Sequence, residues 1–303
     1  MSTTGDDHPA SEPPARPGAG PRSGAIARRI LLWLAIAIAL VWTLFPLWWA
    51  VVYSIRPTKL AYRSVFLPFV DFHPTLAHWR WEWANRNDIT GLAQGLRNSV
   101  IVSTGTALCC VTIGLAAAVG LRGFRQAKSQ TGAIVSLVLL PRIVPMVVLL
   151  TPLYLLTTEL HLRDTLLALV FVNTAIGLPI AVIVIDAAVR DLPADVLSAA
   201  VLDGASSLRL ATQVIAPMIA PMLWSVGVLT FAFSWNEFMF AVTNAYRNAA
   251  TVPISIAFLD QRDGLDFEHV GSHVVLIIII PLILASLTQR VLVRGLGLGA
   301  VKG

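Results

Sequence analysis

The sequence predicts an all-α integral membrane protein of six transmembrane helices, with a cytosolic helix between spans four and five. Three observations carry that fold class. The 303 residues are 56% hydrophobic and only 13% charged, where a water-facing domain carries roughly a quarter charged residues. The mean hydropathy is +0.74. The apolar residues fall into long uninterrupted runs divided by short polar breaks. In lipid every backbone polar group must be satisfied within the segment, so apolar runs of 20 or more residues span as helices.

The elements follow in order. Residues 1–24 are rich in Pro, Gly, Ala and Ser with no apolar period, which predicts a disordered cytosolic tail. Residues 25–95 hold the first span and an external loop. Arg28 and Arg29 precede the apolar run Ile30–Val52, which is too long for a signal-peptide core and lacks a small-x-small cleavage site, so it stays as an anchor. The stretch around Trp79, Trp81 and Trp83 suits the membrane interface or a short helix lying on it. Residues 96–293 form the transmembrane core, with spans at about 98–120, 132–157, 165–189, 214–240 and 270–293. Residues 294–303 are a cytosolic tail. With both termini inside, the inner segments carry 12 Lys and Arg, counting Arg290 at the inner end of the last span, and the outer loops 9, the sign that the positive-inside rule expects.

Composition also excludes classes. The net charge is +5 and the pI near 9.7, but the basic residues are scattered at helix ends and form no block, so nucleic acid is not the partner. Cys109 and Cys110 are adjacent within an apolar run. Helix neighbours point about 100° apart, so they are packing residues and not a bridge. No metal-ligand spacing occurs. GxxxxGK[ST], HExxH and GxSxG are absent, so no catalytic residue is predicted, and nucleotide hydrolysis belongs to another polypeptide.

The segment Leu192–Pro221 interrupts two spans yet remains apolar. Pro193 and Asp195 suit a helix start, and Asp203-Gly204 suits the turn that ends it. Val196, Leu197, Ala200 and Val201 would share one face that wants a partner groove. Gly204 would allow a tight turn where a Cβ would clash.

This segment resembles the EAA loop of ABC importer permeases, in which EAA is followed by three positions, Gly, and Pro about 13 residues later. Ala199, Ala200, Asp203, Gly204 and Ala205 match, with Pro217 and Pro221 at the expected offsets. Ser198 replaces the motif's Glu and Ala211 its usual aromatic, which removes one ionic contact toward the ATPase. Arg97-Asn98-Ser99, Trp235-Asn236-Glu237-Phe238 and the stretch from Gln289 to Gly303 resemble the smaller permease of maltose/trehalose-type carbohydrate importers. The resemblance implies half of a translocation pore completed by a second homologous permease. It also implies a cytosolic ATPase dimer that holds ATP and Mg, no cofactor on this chain, and an extracytoplasmic sugar-binding protein. Residues 194–207 would be the coupling helix, Gly299, Val301 and Lys302 would touch the ATPase, and Asp260, Gln261, Arg262 and Asp263 would lie in an external loop that meets the binding protein.

Polar residues within the spans are the remaining candidates. Arg142 lies near mid-bilayer between Pro141 and Pro145, where a charge costs roughly 2.5–3.5 kcal/mol on insertion scales. It is either a lining residue of the path, bonded to sugar hydroxyls or the partner permease, or half of a pair inside the subunit. Asn173, Asn236 and Glu237 sit near outer span ends, facing the path, the partner or interfacial water. Asp186 and Arg190, four apart, suit a simple ion pair. An importer for a non-sugar solute stays open. An ion-coupled secondary transporter is a poorer fit, because the chain shows no clear repeat and no carboxylate at mid-span.

Overall fold

A computed structural model describes residues 22–60, 66–84, 91–126, 139–140, 143–263 and 267–299. Among the described residues helices are the only regular structure, apart from one isolated bridge between Pro68 and Phe72. The chain divides into two compact units, residues 1–48 and 49–303.

The first unit contributes most of helix α1, Arg22–Ser54, whose stretch from Ile30 to Trp48 holds no charge. It is apolar on every face, the pattern of a helix in lipid and not of an amphipathic surface helix.

In the second unit, α2 (Ala77–Ala84) is the short helix expected at Trp79, Trp81 and Trp83. It is followed by α3 (Leu92–Gln126), α4 (Met146–Glu159), α5 (Leu166–Arg190) and α6 (Ala194–Leu202). Then come α7 (Ser207–Met218), α8 (Ala220–Trp235), α9 (Met239–Asn244), α10 (Val252–Asp263) and α11 (Phe267–Gly299). Among the described residues, four helices are long and apolar enough to cross a membrane: Arg28–Ser54, Leu92–Gly123, Leu166–Arg190 and His269–Ser286. The expected third span, 132–157, is described mainly through α4, a 14-residue apolar helix.

The fifth span differs from expectation. Residues 214–240 do not form one helix: α7 and α8 meet at an 88° bend, and α8 ends at Trp235. Prolines explain it. Pro217 and Pro221 each lack the N–H that an α-helix would donate four residues back. The ladder before the bend widens to a π-turn over Leu210–Ile215, and Ile219 leaves helical geometry at φ −106°, ψ 17°. Proline and π-turn are the usual physical causes of a sharp kink.

α3 and α5 lie side by side, with α8 against both and α11 on α8. Small residues let the first pair close up. A Cβ on Gly114 would come within 2.9 Å of the Ile185 side chain, and one on Gly177 within 3.1 Å of Cys110 Sγ. Cys110 is fully buried and both cysteines are free, as the packing reading expected. Two apolar clusters share these helices. One, at the α6 end, joins Cys110 and Ala118 to Ala181, Ile185, Val189, Leu197, Leu210, Ile215, Ile219 and Val226. The other joins Val102, Leu169 and Val172 to Phe240, Ala241 and Ile254.

Candidate functional site: a helix–turn on one end and a clamped loop on the other

α6 starts after Pro193 and carries Asp195 in its first turn, where a carboxylate faces the positive end of the helix dipole. It ends in a paired-bond turn. The Gly204 amide donates to Val201 O at 3.0 Å and the Ala205 amide to Ala200 O at 3.0 Å, while Gly204 sits at φ +80°. These are the two bonds of a Schellman C-cap, which calls for glycine at that position. The reason for Gly204 is therefore corrected. A Cβ there would meet nothing within 4 Å, so the demand comes from the left-handed backbone and not from a clash. Ser206 then caps α7, its hydroxyl accepting from the Arg209 amide at 3.3 Å.

The face of α6 also needs correction. Leu197 is buried in the chain's own core and Ala200 packs against it, so these two anchor the helix to α5 and α7 and are not open to a partner. The outward apolar residues are Val196 and Val201, with Leu202 and Leu208 at 88% and 74% exposure. Ala199, Asp203 and Gly204 are exposed, Ala205 is half-buried, and Pro217 sits at the bend. Period alone cannot tell which of two apolar stripes faces inward. The ion pair expected of Asp186 and Arg190 is present: Arg190 Nε donates to Asp186 Oδ2 at 3.0 Å, and the other guanidinium nitrogen reaches the same oxygen.

At the far end of α5, about 37 Å away at 1.5 Å per residue, residues 244–252 are held by polar side chains. Asp164, at 7% exposure, accepts from the backbone amides of Tyr246, Arg247, Asn248 and Ala249 and from Asn248 Nδ2, at 2.9–3.2 Å. Asn98 Nδ2 donates to Asn248 O and Ala250 O at 2.9 and 2.8 Å. Ser99 Oγ accepts from the Val252 amide at 2.9 Å, and Thr157 Oγ1 donates to Asn244 Oδ1 at 2.7 Å. The Asn98-Ser99 pair therefore ties the head of α3 to the segment entering α10. Sequence reasoning passed over Asp164; its one local signal is its place just before Thr165, the N-cap of α5. On the loop before α2, Asp71 accepts from Leu67 and Phe66 amides, and those bonds hold its carboxyl below the usual carboxylate range.

Other candidates are placed as follows. Trp235 is buried, and its indole N–H donates to Ile277 O of α11 at 3.1 Å. Asn236 Nδ2 donates to Ala232 O at 2.9 Å. Glu237 accepts from the Phe240 and Ala241 amides at 2.7 and 3.2 Å and so caps α9. Glu237→Ala should cost about 1 kcal/mol as a lost helix cap, read as a lower melting point of the purified chain; an unchanged one would refute the capping role. Asn173, expected near interfacial water, is buried in α5 beside Val172. Asp260, Gln261, Arg262 and Asp263 form the last turn of α10, not a loop, because Val252, Ile254 and Leu259 bury an apolar face that winds the segment into a helix. Gly299 ends α11, so Gly295–Gly299 continue that helix and do not begin a separate tail. Arg142, Val301 and Lys302, and most of residues 1–24, lie outside the described residues. A groove between α3, α8 and α11 is lined by Ala107, Leu108, Leu223, Trp224 and Phe231, with Thr104 as its sole hydroxyl. Such a lining fits lipid or an apolar helix better than a polyhydroxyl solute.

A multi-pass helical core with a short capped helix hung between a spanning helix and a bent one defines the class, a membrane-embedded transport subunit. Residues 110–297 match the family described as binding-protein-dependent transport system inner membrane component, and the chain belongs to that family. The trehalose/maltose transport system permease protein MalG of Thermococcus litoralis is 31% identical, over 92% of this chain and 98% of its own length. The trehalose transport system permease protein SugB of Mycobacterium tuberculosis is 29% identical, over 91% and 99%. Among solved structures, a bacterial ABC transporter involved in the import of the acidic polysaccharide alginate has a chain of the same fold. Its TM-score is 0.67 at 18% identity, covering 90% of this chain and 99% of that one.

Proposed function

We propose that the chain is one permease of an ATP-binding-cassette sugar importer, forming half of the pore with a second, homologous permease. α6 and the turn through Ala205 are its contact with a cytosolic ATPase, which holds ATP and Mg on its own residues. Both termini are cytosolic. The opposite end, with residues 244–263, faces an extracytoplasmic binding protein, and Asp260, Gln261, Arg262 and Asp263 lie toward it. Arg142, Asn173, Asn236 and Glu237 belong to the path or to the partner permease, and Gly299, Val301 and Lys302 to a second ATPase contact.

One observation carries this reading. α6 is anchored by Leu197 from within, while Leu202 and Leu208 stand almost fully exposed around a glycine turn. Apolar side chains held out by a rigid base are what a docking helix offers a groove. Sugar as the solute is supported by the names of the relatives above. The test is Gly204→Val in the assembled importer. A β-branched residue at positive φ costs at least about 1–2 kcal/mol, locally, because nothing lies within 4 Å of a Cβ at Gly204. Uptake of a disaccharide panel should fall more than about tenfold, the factor equivalent to 1.4 kcal/mol, while membrane insertion is unchanged. Unaltered uptake would overturn the docking role of the turn, and uptake of none of the sugars by the unmodified importer would overturn the solute class.

A further inference from the structure

The loop between α1 and α2 carries an apolar knuckle that the transport reading leaves unused. Phe69 and Val70 are 79% and 78% exposed and Leu67 is exposed beside them, while Phe72 is buried and roots the loop. Phe69 sits at φ +67°, a left-handed backbone that is a genuine outlier for a bulky residue. Glycine would take that conformation at no steric cost. We propose that residues 66–70 are a lipid anchor: Phe69 and Val70 enter the bilayer surface at which α1 ends.

The level of the knuckle is fixed by the helices around it. α1 ends at Ser54, and the apolar span of α11 begins at His269. These two ends meet, since a Cβ on Gly271 would lie 2.8 Å from Ser54 N. A buried polar cluster ties α2 to the same place. His78 Nε2 lies 3.0 Å from the Arg56 carbonyl oxygen, and His78 Nδ1 lies 3.3 Å from His269 Nε2. Glu82 lies 2.6 Å from His269 Nδ1 and accepts from the amide of Leu92, the head of α3, at 3.2 Å. Three apolar spans therefore stop against α2, and their common end marks the rim of the membrane. The knuckle is held at that rim, because the Thr75 amide donates at 2.8 Å to Ile55 O, one residue beyond α1. Trp81 and Trp83 of α2 are exposed there, the residue type that gathers at membrane surfaces.

The hydrogen bonding of the loop favours lipid over a protein partner. The amides of Phe66 and Leu67 both donate to Asp71 Oδ2 at 2.9 Å. Those of Phe69, Val70 and Asp71 donate to Phe72 O and Leu67 O at 2.8–3.3 Å. Pro68 has no N–H to place. Every backbone donor from residue 66 to residue 71 is thus satisfied within the loop, as entry into lipid requires. A protein interface instead carries about one hydrogen bond per 100–200 Å². The knuckle offers it little, because Asp71, the only charged side chain of residues 66–72, is turned onto its own amides. Strain at Phe69 is held in place by these bonds. A loop that only connected α1 to α2 would gain nothing from an exposed ring there; one that enters lipid does. The inference rests on the spans and not on what the chain transports.

The test uses the full chain in nanodiscs of phosphatidylcholine and phosphatidylglycerol, with Cys109→Ala and Cys110→Ala and a nitroxide attached at Val70→Cys. Collisions of the nitroxide with lipid-soluble oxygen are compared with those of a water-soluble nickel chelate. Leu40→Cys on the uncharged stretch of α1 is the lipid reference, and Asp203→Cys on the exposed turn after α6 is the water reference. The label at residue 70 is expected to favour oxygen, as the one at residue 40 does. Preference for nickel would put the knuckle in water, and shielding from both would put it under protein; either overturns the inference. Should the cysteine variants fail to fold, a lipid-confined carbene reagent on the wild-type chain decides. Its label is expected within residues 66–70, and labelling of α1 with none on the knuckle would overturn the anchor.

Discussion

Asp164→Ala is expected to collapse the loop end of the bundle and to give a chain that barely accumulates in membranes. The carboxylate takes four backbone amides and one side-chain amide; Asp164 and Ala249 are buried, so the Ala249 amide loses its partner away from solvent, while Tyr246, Arg247 and Asn248 are exposed. Hydrogen bonds to a charged group are worth about 1.5–3 kcal/mol each, and stranded buried donors cost a similar amount. Discounting for relaxation, the loss should be about 3 kcal/mol or more, which lowers the melting point by roughly 10 °C in a chain of this size. Asp164→Asn keeps one acceptor oxygen but turns an NH2 toward the amides, so it should fall between wild type and alanine. Size-exclusion after a temperature series reads both. A melting point within about 2 °C of wild type, less than 1 kcal/mol at this size, would show that the 244–252 segment holds itself.

Gly271→Val should be nearly as damaging for a different reason. A Cβ at Gly271 would lie 2.8 Å from Ser54 N, 3.0 Å from Ala50 O and 3.0 Å from Tyr53 Cβ. Two of those neighbours are backbone, which cannot swing aside as a side-chain tip does. α11 must then part from residues 50–54, at more than the about 1–3 kcal/mol of ordinary overpacking. Gly271 lies between His269 and His273, so the polar cluster opens with it. Gly120→Ala in α3 is the control: nothing lies within 4 Å of its Cβ, and alanine is the better helix former by about 1 kcal/mol. Equal melting points for Gly271→Val and Gly120→Ala would mean that the helices do not approach as described.

The membrane class and most helices were legible because lipid imposes a simple rule, apolar runs of sufficient length, and α1, α3, α5 and α11 obey it. α2 was legible from three alternating tryptophans. The bend at Ile219 was half legible: Pro217 and Pro221 stand on either side of it in the sequence and each removes a ladder donor, but a continuous apolar run carries no sign of the angle between its halves. The inward turn of Leu197 was hidden because both stripes of α6 are apolar. Least legible were the clamps. Asp164 meets partners more than 80 residues away and Asn98 partners 150 away, and most are backbone groups that carry no residue signature. The same holds for Glu82, whose partner His269 is 187 residues distant.

α5 joins both ends of the molecule. Its last turns, at Ile185 and Val189, are packed with Leu197 of α6, and its first, at Leu169 and Val172, with Phe240 of α9. Ahead of it, Asp164 grips the loop that leads into α10. Between the two ends the helix is wedged along α3, with Pro179 buried and Gly177 pressed on Cys110. It is a rod about seven turns long, fastened at both ends, and Pro179 is the one place along it where a proline removes a rung of the hydrogen-bond ladder.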